Sequence, residues 1–201
     1  MLRVGLTGGL ASGKSFAGNA LAELGCHLIR ADELGHEALL PDGEAYDAAV
    51  REFGAGILDG HGTIDRKKLA SIVFGDPGKL QKLNAFVHPA VLRSEERWMD
   101  EIRQRDPNGI AVVEAAILVE TGSYRRFDRL IVVYCKPEQQ LERAMKRHGL
   151  SREEAFARIE RQLPIEDKLR VADFAIDTSG TKESTLEQTR EVFRALRRLP
   201  S

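Results

Sequence analysis

Residues 4–15, Val4-Gly5-Leu6-Thr7-Gly8-Gly9-Leu10-Ala11-Ser12-Gly13-Lys14-Ser15, constrain this chain more than any other stretch. A short apolar run from Leu2 to Leu6, interrupted by Arg3 and Gly5, has the length of a buried strand. A loop follows from Gly8 to Gly13, and Lys14 opens a pattern that predicts a helix to about Leu24. Gly8, four residues, Gly13, Lys14 and Ser15 match G-x-x-x-x-G-K-[ST] in a strand-loop-helix context.

The residue types have a chemical reason. A polyphosphate needs several backbone N–H donors converging on one place, so the backbone must curl tightly, and Gly8, Gly9 and Gly13 permit that. The helix N-terminus adds its own amides and a partial positive charge. The binding segment is Gly8, Gly9, Leu10, Ala11, Ser12, Gly13, Lys14, Ser15 and Phe16. Lys14 brings a full charge to the β and γ phosphates, and the Ser15 hydroxyl is placed to ligate Mg²⁺. The segment says nucleoside triphosphate. It does not by itself separate kinase, GTPase and motor.

Bulk properties narrow the partners. The 201 residues allow one domain or a core with a helical insertion. Basic and acidic residues number 30 and 31, so no long-range field marks a nucleic-acid or membrane binder. The longest apolar run, Ile110 to Val119, contains Glu114 and is far short of a membrane span. Cys26 and Cys135 sit in apolar stretches without metal-ligand spacing, which predicts buried thiols in a reducing cytoplasm. The strand begins within a few residues of the start, leaving no room for a signal peptide.

Along the chain, Phe16, Ala17, Ala20, Leu21 and Leu24 give the first helix one apolar face, and Gly25 ends it. Cys26–Ile29 reads as a second strand that delivers Asp32, in a parallel strand-helix-strand unit. Ligands of such sheets bind beyond the strands' carboxyl ends, so Asp32 is expected where the γ-phosphate meets an acceptor. From Leu34 to Arg105 strand signals nearly vanish. One helix ends near Phe53-Gly54, Gly60-His61-Gly62 is a turn, and Asp65 caps a helix reaching Phe74. Asp76-Pro77 and His88-Pro89 each read as a cap followed by a first-turn proline, which predicts two helices, the second with Leu92, Met99, Ile102 and Trp98 inward. Ile110–Glu114, Leu130–Cys135 and Ala172–Asp177 are the remaining strands. Pro137–His148, a charged hairpin over Ser151–Leu169 and Ser184–Arg197 are the remaining helices. The expected fold is α/β: a P-loop NTPase core with a five-stranded parallel sheet flanked by helices, a helical insertion and a helical lid.

Other nucleotide classes fit poorly. D-x-x-G begins at Asp32, Asp59, Asp106 and Asp177, too often to mean a switch, and no asparagine precedes a lysine, so the guanine reader N-K-x-D is missing. The L-S-G-G-Q signature of ABC-type ATPases is missing too. A small phosphoryl-transfer kinase fits best.

The chain resembles the dephospho-coenzyme A kinase family nearly end to end. The carrying pieces are the opening Val4–Ser15, Ala31-Asp32, and Ile64–Ala70 with Val73-Phe74. Leu83-Asn84, His88-Pro89 with Val91, and Ile117-Leu118 with Glu120 follow. Gln140–Arg143 with Arg147, Arg158-Ile159 with Gln162, Lys168, and Ala172-Asp173 with Ile176-Asp177 complete the match. Phe16, Ala116 and Thr178 depart from the family's usual Thr, Pro and Asn. The resemblance implies transfer of the ATP γ-phosphoryl group to the ribose 3′-hydroxyl of dephospho-CoA, with Mg²⁺, in the cytoplasm. It divides the chain into a core (1–33, 108–148, 170–201), an acceptor domain (34–107) and a lid (149–169). Thr7, Asp32, Arg66, His88 and Leu118 would bind the acceptor, and Arg147 and Thr178 the nucleotide.

Each role has an alternative. Asp32 would take or orient the acceptor's proton, or cap a helix. Glu114 would hold Mg²⁺ through water, or make a structural hydrogen bond. Arg143 and Arg147 share a helix face; on spacing alone they are a solvated basic surface, and the resemblance makes Arg143 a catalytic arginine. His88 would contact the acceptor or cap a helix. Two rival functions stay open, a kinase for another small alcohol or nucleotide and a nucleotide-binding switch without chemistry.

Overall fold

The computed structural model describes residues 1–73 and 75–199, the side chain of His148 excepted. It divides into two compact units, Met1–Ile29 with Glu101–Ser201, and Arg30–Asp100.

The first unit is built on a sheet of five strands, β1 (Leu2–Gly8), β2 (His27–Arg30), β3 (Ile110–Glu114), β4 (Arg129–Tyr134) and β5 (Phe174–Asp177), in the order β2-β3-β1-β4-β5. β1 pairs in parallel with β3 and β4, and β4 with β5. β1 is central and covered on both faces, which is why its apolar residues run nearly unbroken rather than alternating. The exception, Arg3, donates to the Asp128 carboxylate from its backbone N–H at 2.8 Å and its guanidinium at 2.9 Å. One face of the sheet, through Leu2, Val4, Leu6, Val112, Ile131 and Val133, packs on Ala17 and Leu21 of α1 (Lys14–Glu23) and Val192 and Leu196 of α9 (Lys182–Leu196). On the other face Gly5 allows close approach: a Cβ there would lie 3.0 Å from side-chain carbons of Leu118 and Phe127.

β2 runs directly into α2 (Ala31–Glu37). The helical unit continues with α3 (Tyr46–Phe53), a 3-10 turn at Ala55–Ile57, α4 (Arg66–Val73) and α5 (Pro77–Arg105). Asp65 caps α4 as its sequence predicts, accepting from the Lys67 N–H at 2.9 Å; the expected end of that helix, Phe74, lies outside the described residues. Ala49, Ile57, Ile64, Leu69 and Val73 form this unit's main core. An isolated antiparallel bridge, Leu58 to Ile64, encloses the Gly60–Gly62 turn.

One expectation fails here. His88-Pro89 does not start a helix, because α5 is continuous with Pro89 inside it. A proline interior costs one backbone hydrogen bond and some crowding, but its fixed φ is helical, and the apolar positions Phe86, Val87 and Ala90 pack on Ala38 and Ala45 straight across the site. The inner stripe differs as well: Met99 and Ile102 are buried, Leu92 and Trp98 only half-buried, and Glu95 lies inward with them.

After β3 comes a 3-10 turn at Ser123–Arg126, then β4 and α6 (Pro137–His148), closed by Gly149 at φ 62°. α7 (Arg152–Glu160) starts on a capping box in which Ser151 and Glu154 exchange hydrogen bonds, and α8 (Ile165–Leu169) follows. Both cysteines are free and buried, each just outside a strand. Burial pushes the Cys26 thiol up to about 12, against the pull of Arg197, and raises that of Cys135. Among the described residues no helix is long and apolar enough to cross a membrane.

Candidate active site

The loop between β1 and α1 has the curl the sequence asks for. A Cβ on Gly8 would lie 2.0 Å from the Val133 carbonyl oxygen, so no other residue fits there. Gly13, the residue before α1, has φ 92°, and Ala11 takes the left-handed region at φ 54°. Lys14 folds its ammonium back over the loop and donates to the carbonyls of Gly8 and Gly9, both at 2.9 Å. The Ser12 hydroxyl is buried and has no hydrogen-bond partner among the described residues.

Ser15 and Glu114 meet. The hydroxyl donates to the buried carboxylate at 2.8 Å, joining the start of α1 to the end of β3. Both are hard oxygen donors, the chemistry Mg²⁺ prefers. No group of three or more acidic, His or Cys side chains suited to a metal occurs among the described residues. A cation held here relies on phosphate and water for its other ligands, which is how Mg²⁺ is commonly bound in kinases.

Beside the loop lies a cavity of about 380 Å³, lined by Ala11, Gly13, Phe16, Arg143, Lys146, Arg147, Thr178, Gly180, Lys182 and Thr185. Arg143 and Arg147, one turn apart on α6, both reach it. Arg143 forks onto Thr178, donating to its hydroxyl at 2.9 Å and its carbonyl at 2.8 Å, and that hydroxyl donates on to the Ser12 carbonyl at 2.8 Å. Thr178 thus ties α6 to the phosphate loop. Phe16 contributes its ring to the lining, and its N–H is turned onto the Gly13 carbonyl at 3.0 Å.

Thr7, fully buried, donates to the Ala116 carbonyl at 3.2 Å, and the same oxygen accepts from Lys168 at 3.1 Å. The departure from proline at 116 leaves that carbonyl in use. Leu118 is buried over Gly5, and its neighbour Ile117 is the exposed side chain of the segment.

Three contacts here join residues that the sequence alone does not pair, although Gln162 with Arg158 is expected to belong to a lid closing on the phosphates. Leu10 is gripped from two sides: its N–H donates to Gln162 at 2.7 Å, and its carbonyl accepts from Gln140 at 2.9 Å. Gln162 therefore holds an amide of the phosphate loop, and the Arg158-Ile159-x-x-Gln162 pattern was its signal. Lys168 is the largest fully buried side chain and pairs with Glu120 at 2.6 Å. Removing one partner of a buried pair strands the other, so Lys168→Ala is expected to cost roughly 3–5 kcal/mol. Urea unfolding followed by circular dichroism checks this; a loss under about 1 kcal/mol, the scale of an exposed pair, would show that the pair holds little.

The remaining predicted residues belong to the helical unit. Asp32 stands exposed in the first turn of α2. It is not the cap, a position held by Arg30 without a side-chain hydrogen bond. Arg66, exposed at the start of α4, donates to His36 at 2.6 Å. His88, within α5 and so not a cap, lines a cavity of about 550 Å³ with Pro77, Leu80, Gln81, Asn84, Ala85 and Pro89.

Comparison with known proteins follows the same outline. The family model described as dephospho-CoA kinase matches residues 2–184. A dephospho-CoA kinase of Aquifex aeolicus is 42% identical over 200 residues, covering 100% of both chains. One from Carboxydothermus hydrogenoformans is 44% identical over 185 residues, 92% of this chain and 89% of that one. Among solved structures, dephospho-CoA kinase from Campylobacter jejuni superposes with a TM-score of 0.67 at 28% identity, covering 96% of each chain. A shikimate kinase from Bacteroides thetaiotaomicron, 14% identical, covers 97% of this chain and 98% of that one at a TM-score of 0.51, and shares the fold alone.

Proposed function

The chain belongs to the dephospho-CoA kinase family, and from that premise we propose that it transfers the γ-phosphoryl group of ATP to the ribose 3′-hydroxyl of dephospho-CoA. The product is coenzyme A, and the reaction is the last step of its synthesis. The observation that carries the reading is the family match over residues 2–184, which spans both compact units. The core with its phosphate loop is the nucleotide domain, residues 34–107 are the acceptor domain, and residues 149–169 are the lid. We place the reaction in the cytoplasm.

A phosphoryl group in a loose transition state needs positioning and charge neutralisation more than covalent help. The backbone amides of Gly8 to Phe16 and the N-terminus of α1 cradle the phosphates. Lys14 exchanges its two loop carbonyls for β and γ oxygens. Ser15 and, through water, Glu114 would hold Mg²⁺, which would supply charge neutralisation for the transferring phosphoryl group. Arg143 and Arg147 contact the nucleotide from α6. Arg143 is already fixed on Thr178, so its charge needs little reorganisation to stabilise the transferring group. Asp32 accepts the proton of the attacking 3′-hydroxyl. Thr7, Arg66, His88 and the Leu118 segment bind the acceptor. Gln162, inside the lid, holds the Leu10 amide of the phosphate loop, and the lid excludes water from the bound phosphates.

The test is ADP release by the purified protein with ATP and Mg²⁺, comparing dephospho-CoA with AMP, adenosine, shikimate and no acceptor. Turnover that requires dephospho-CoA, with a product one phosphate heavier by mass spectrometry, is expected. Turnover with another acceptor alone would make it a kinase of that alcohol. ATP binding without acceptor-dependent turnover would leave a nucleotide switch.

A further inference from the structure

The Arg66–His36 contact has a chemical consequence. A guanidinium carries only N–H donors, so at 2.6 Å the His36 Nε2 must accept, and the ring is neutral with its proton on Nδ1. Elsewhere in the same unit Arg93 and Arg97 both donate to the Glu44 carboxylate, at 2.7 and 2.8 Å, where the partner's charge opposes theirs. A neutral imidazole fixes Arg66 in direction without offsetting its charge. The guanidinium stays exposed, cationic and oriented, the state suited to a phosphate or pyrophosphate. His36 also lies four residues after Asp32 on α2, on the same helix face. It therefore bonds one residue assigned to the acceptor and shares a face with another.

We propose that His36 is a positioning residue for the acceptor: its neutral ring holds Arg66 toward the acceptor's pyrophosphate and releases it on protonation, so acceptor binding weakens on the acid side. The proposal rests on the dephospho-CoA reading above. The charged groups facing His36 are Arg66 from α4 and Asp32 and Glu33 from α2, with Glu33 also 3.5 Å from Arg30. From α5 the residues nearest α2 at Gly35 are Val87 and Val91, which carry no charge. Burial first, then the Arg66 charge, lowers the His36 pKa from 6.5, while Asp32 and Glu33 oppose. A histidine shifted down on folding is neutral above 6.5, so the bond is complete there and is lost as pH falls through the lowered value.

The experiment measures kcat and both KM values between about pH 5 and 8 for wild type, His36→Ala and His36→Gln. At neutral pH His36→Ala is expected to raise KM for dephospho-CoA about 3- to 10-fold, with kcat and KM for ATP little changed. Wild-type KM for dephospho-CoA should climb as pH falls through the lowered His36 value, on the acid side of 6.5. His36→Gln keeps an oxygen to accept from Arg66 but does not titrate, so it should restore KM and flatten its acid limb. An unchanged KM in His36→Ala, or an acid limb in His36→Gln equal to that of wild type, overturns the proposal. If His36→Ala does not fold, the glutamine variant alone decides. Wild type without any dephospho-CoA turnover overturns the functional reading itself, a result distinct from both.

Discussion

Lys14→Ala is expected to lower kcat about 10²–10³-fold while the protein stays folded. The ammonium sits 2.9 Å from the Gly8 and Gly9 carbonyls, inside the curl where we place the β and γ phosphates. Charge on those oxygens grows and shifts as the bond to the γ-phosphorus breaks, so the contact is stronger in the transition state than in bound ATP and its loss falls mainly on kcat. Losing its two hydrogen bonds to these partly buried loop carbonyls costs roughly 1–3 kcal/mol each, which a thermal melt separates from the catalytic loss. Lys14→Arg should not rescue, since a planar fork cannot occupy the place of a compact ammonium between two carbonyls. Steady-state kinetics with saturating dephospho-CoA make the measurement. Turnover within about tenfold of wild type, less than one electrostatic contact is worth, would mean that Lys14 serves the loop's shape and not the reaction.

The phosphate loop was legible because its geometry is set locally. Positive φ at Gly13 and the missing Cβ at Gly8 are requirements that residue types announce. Helix starts were legible where a short acceptor side chain makes the cap: Asp76 accepts from the Gly78 and Lys79 amides at 2.9 and 3.1 Å. His88-Pro89 imitates that pattern, but histidine is a poor cap, and the apolar spacing through Phe86, Val87 and Ala90 carried the truer signal of an unbroken helix. The pairings between distant segments were not legible. Lys168 with Glu120, Arg143 with Thr178, and Gln162 with Leu10 join residues 48, 35 and 152 positions apart. The residue types mark the motifs, but nothing local in the chain names the distant partner of each. His36 was hidden for the same reason, since its partner Arg66 is 30 residues on.

Asp32→Asn should lower kcat by about 10²–10⁴-fold, the worth of a positioned general base, with both KM values nearly kept because the amide has the carboxylate's shape. The structure separates this from a role in folding. Asp32 is exposed, in the first turn of α2, and the cap position is Arg30. What its charge gives the helix is attraction to the N-terminal dipole, typically 0.3–1 kcal/mol, so the variant's stability should change by no more than that. A large kinetic loss with a small stability loss would identify chemistry. The size of the loss then says which chemistry. In a loose transition state the attacking hydroxyl keeps its proton until late, so a residue that only orients it is worth less than one that removes it. A fall under about tenfold, below the range of general-base catalysis, would make Asp32 an orienting group. A fall of 10² or more that an external base such as formate partly restores would make it the base.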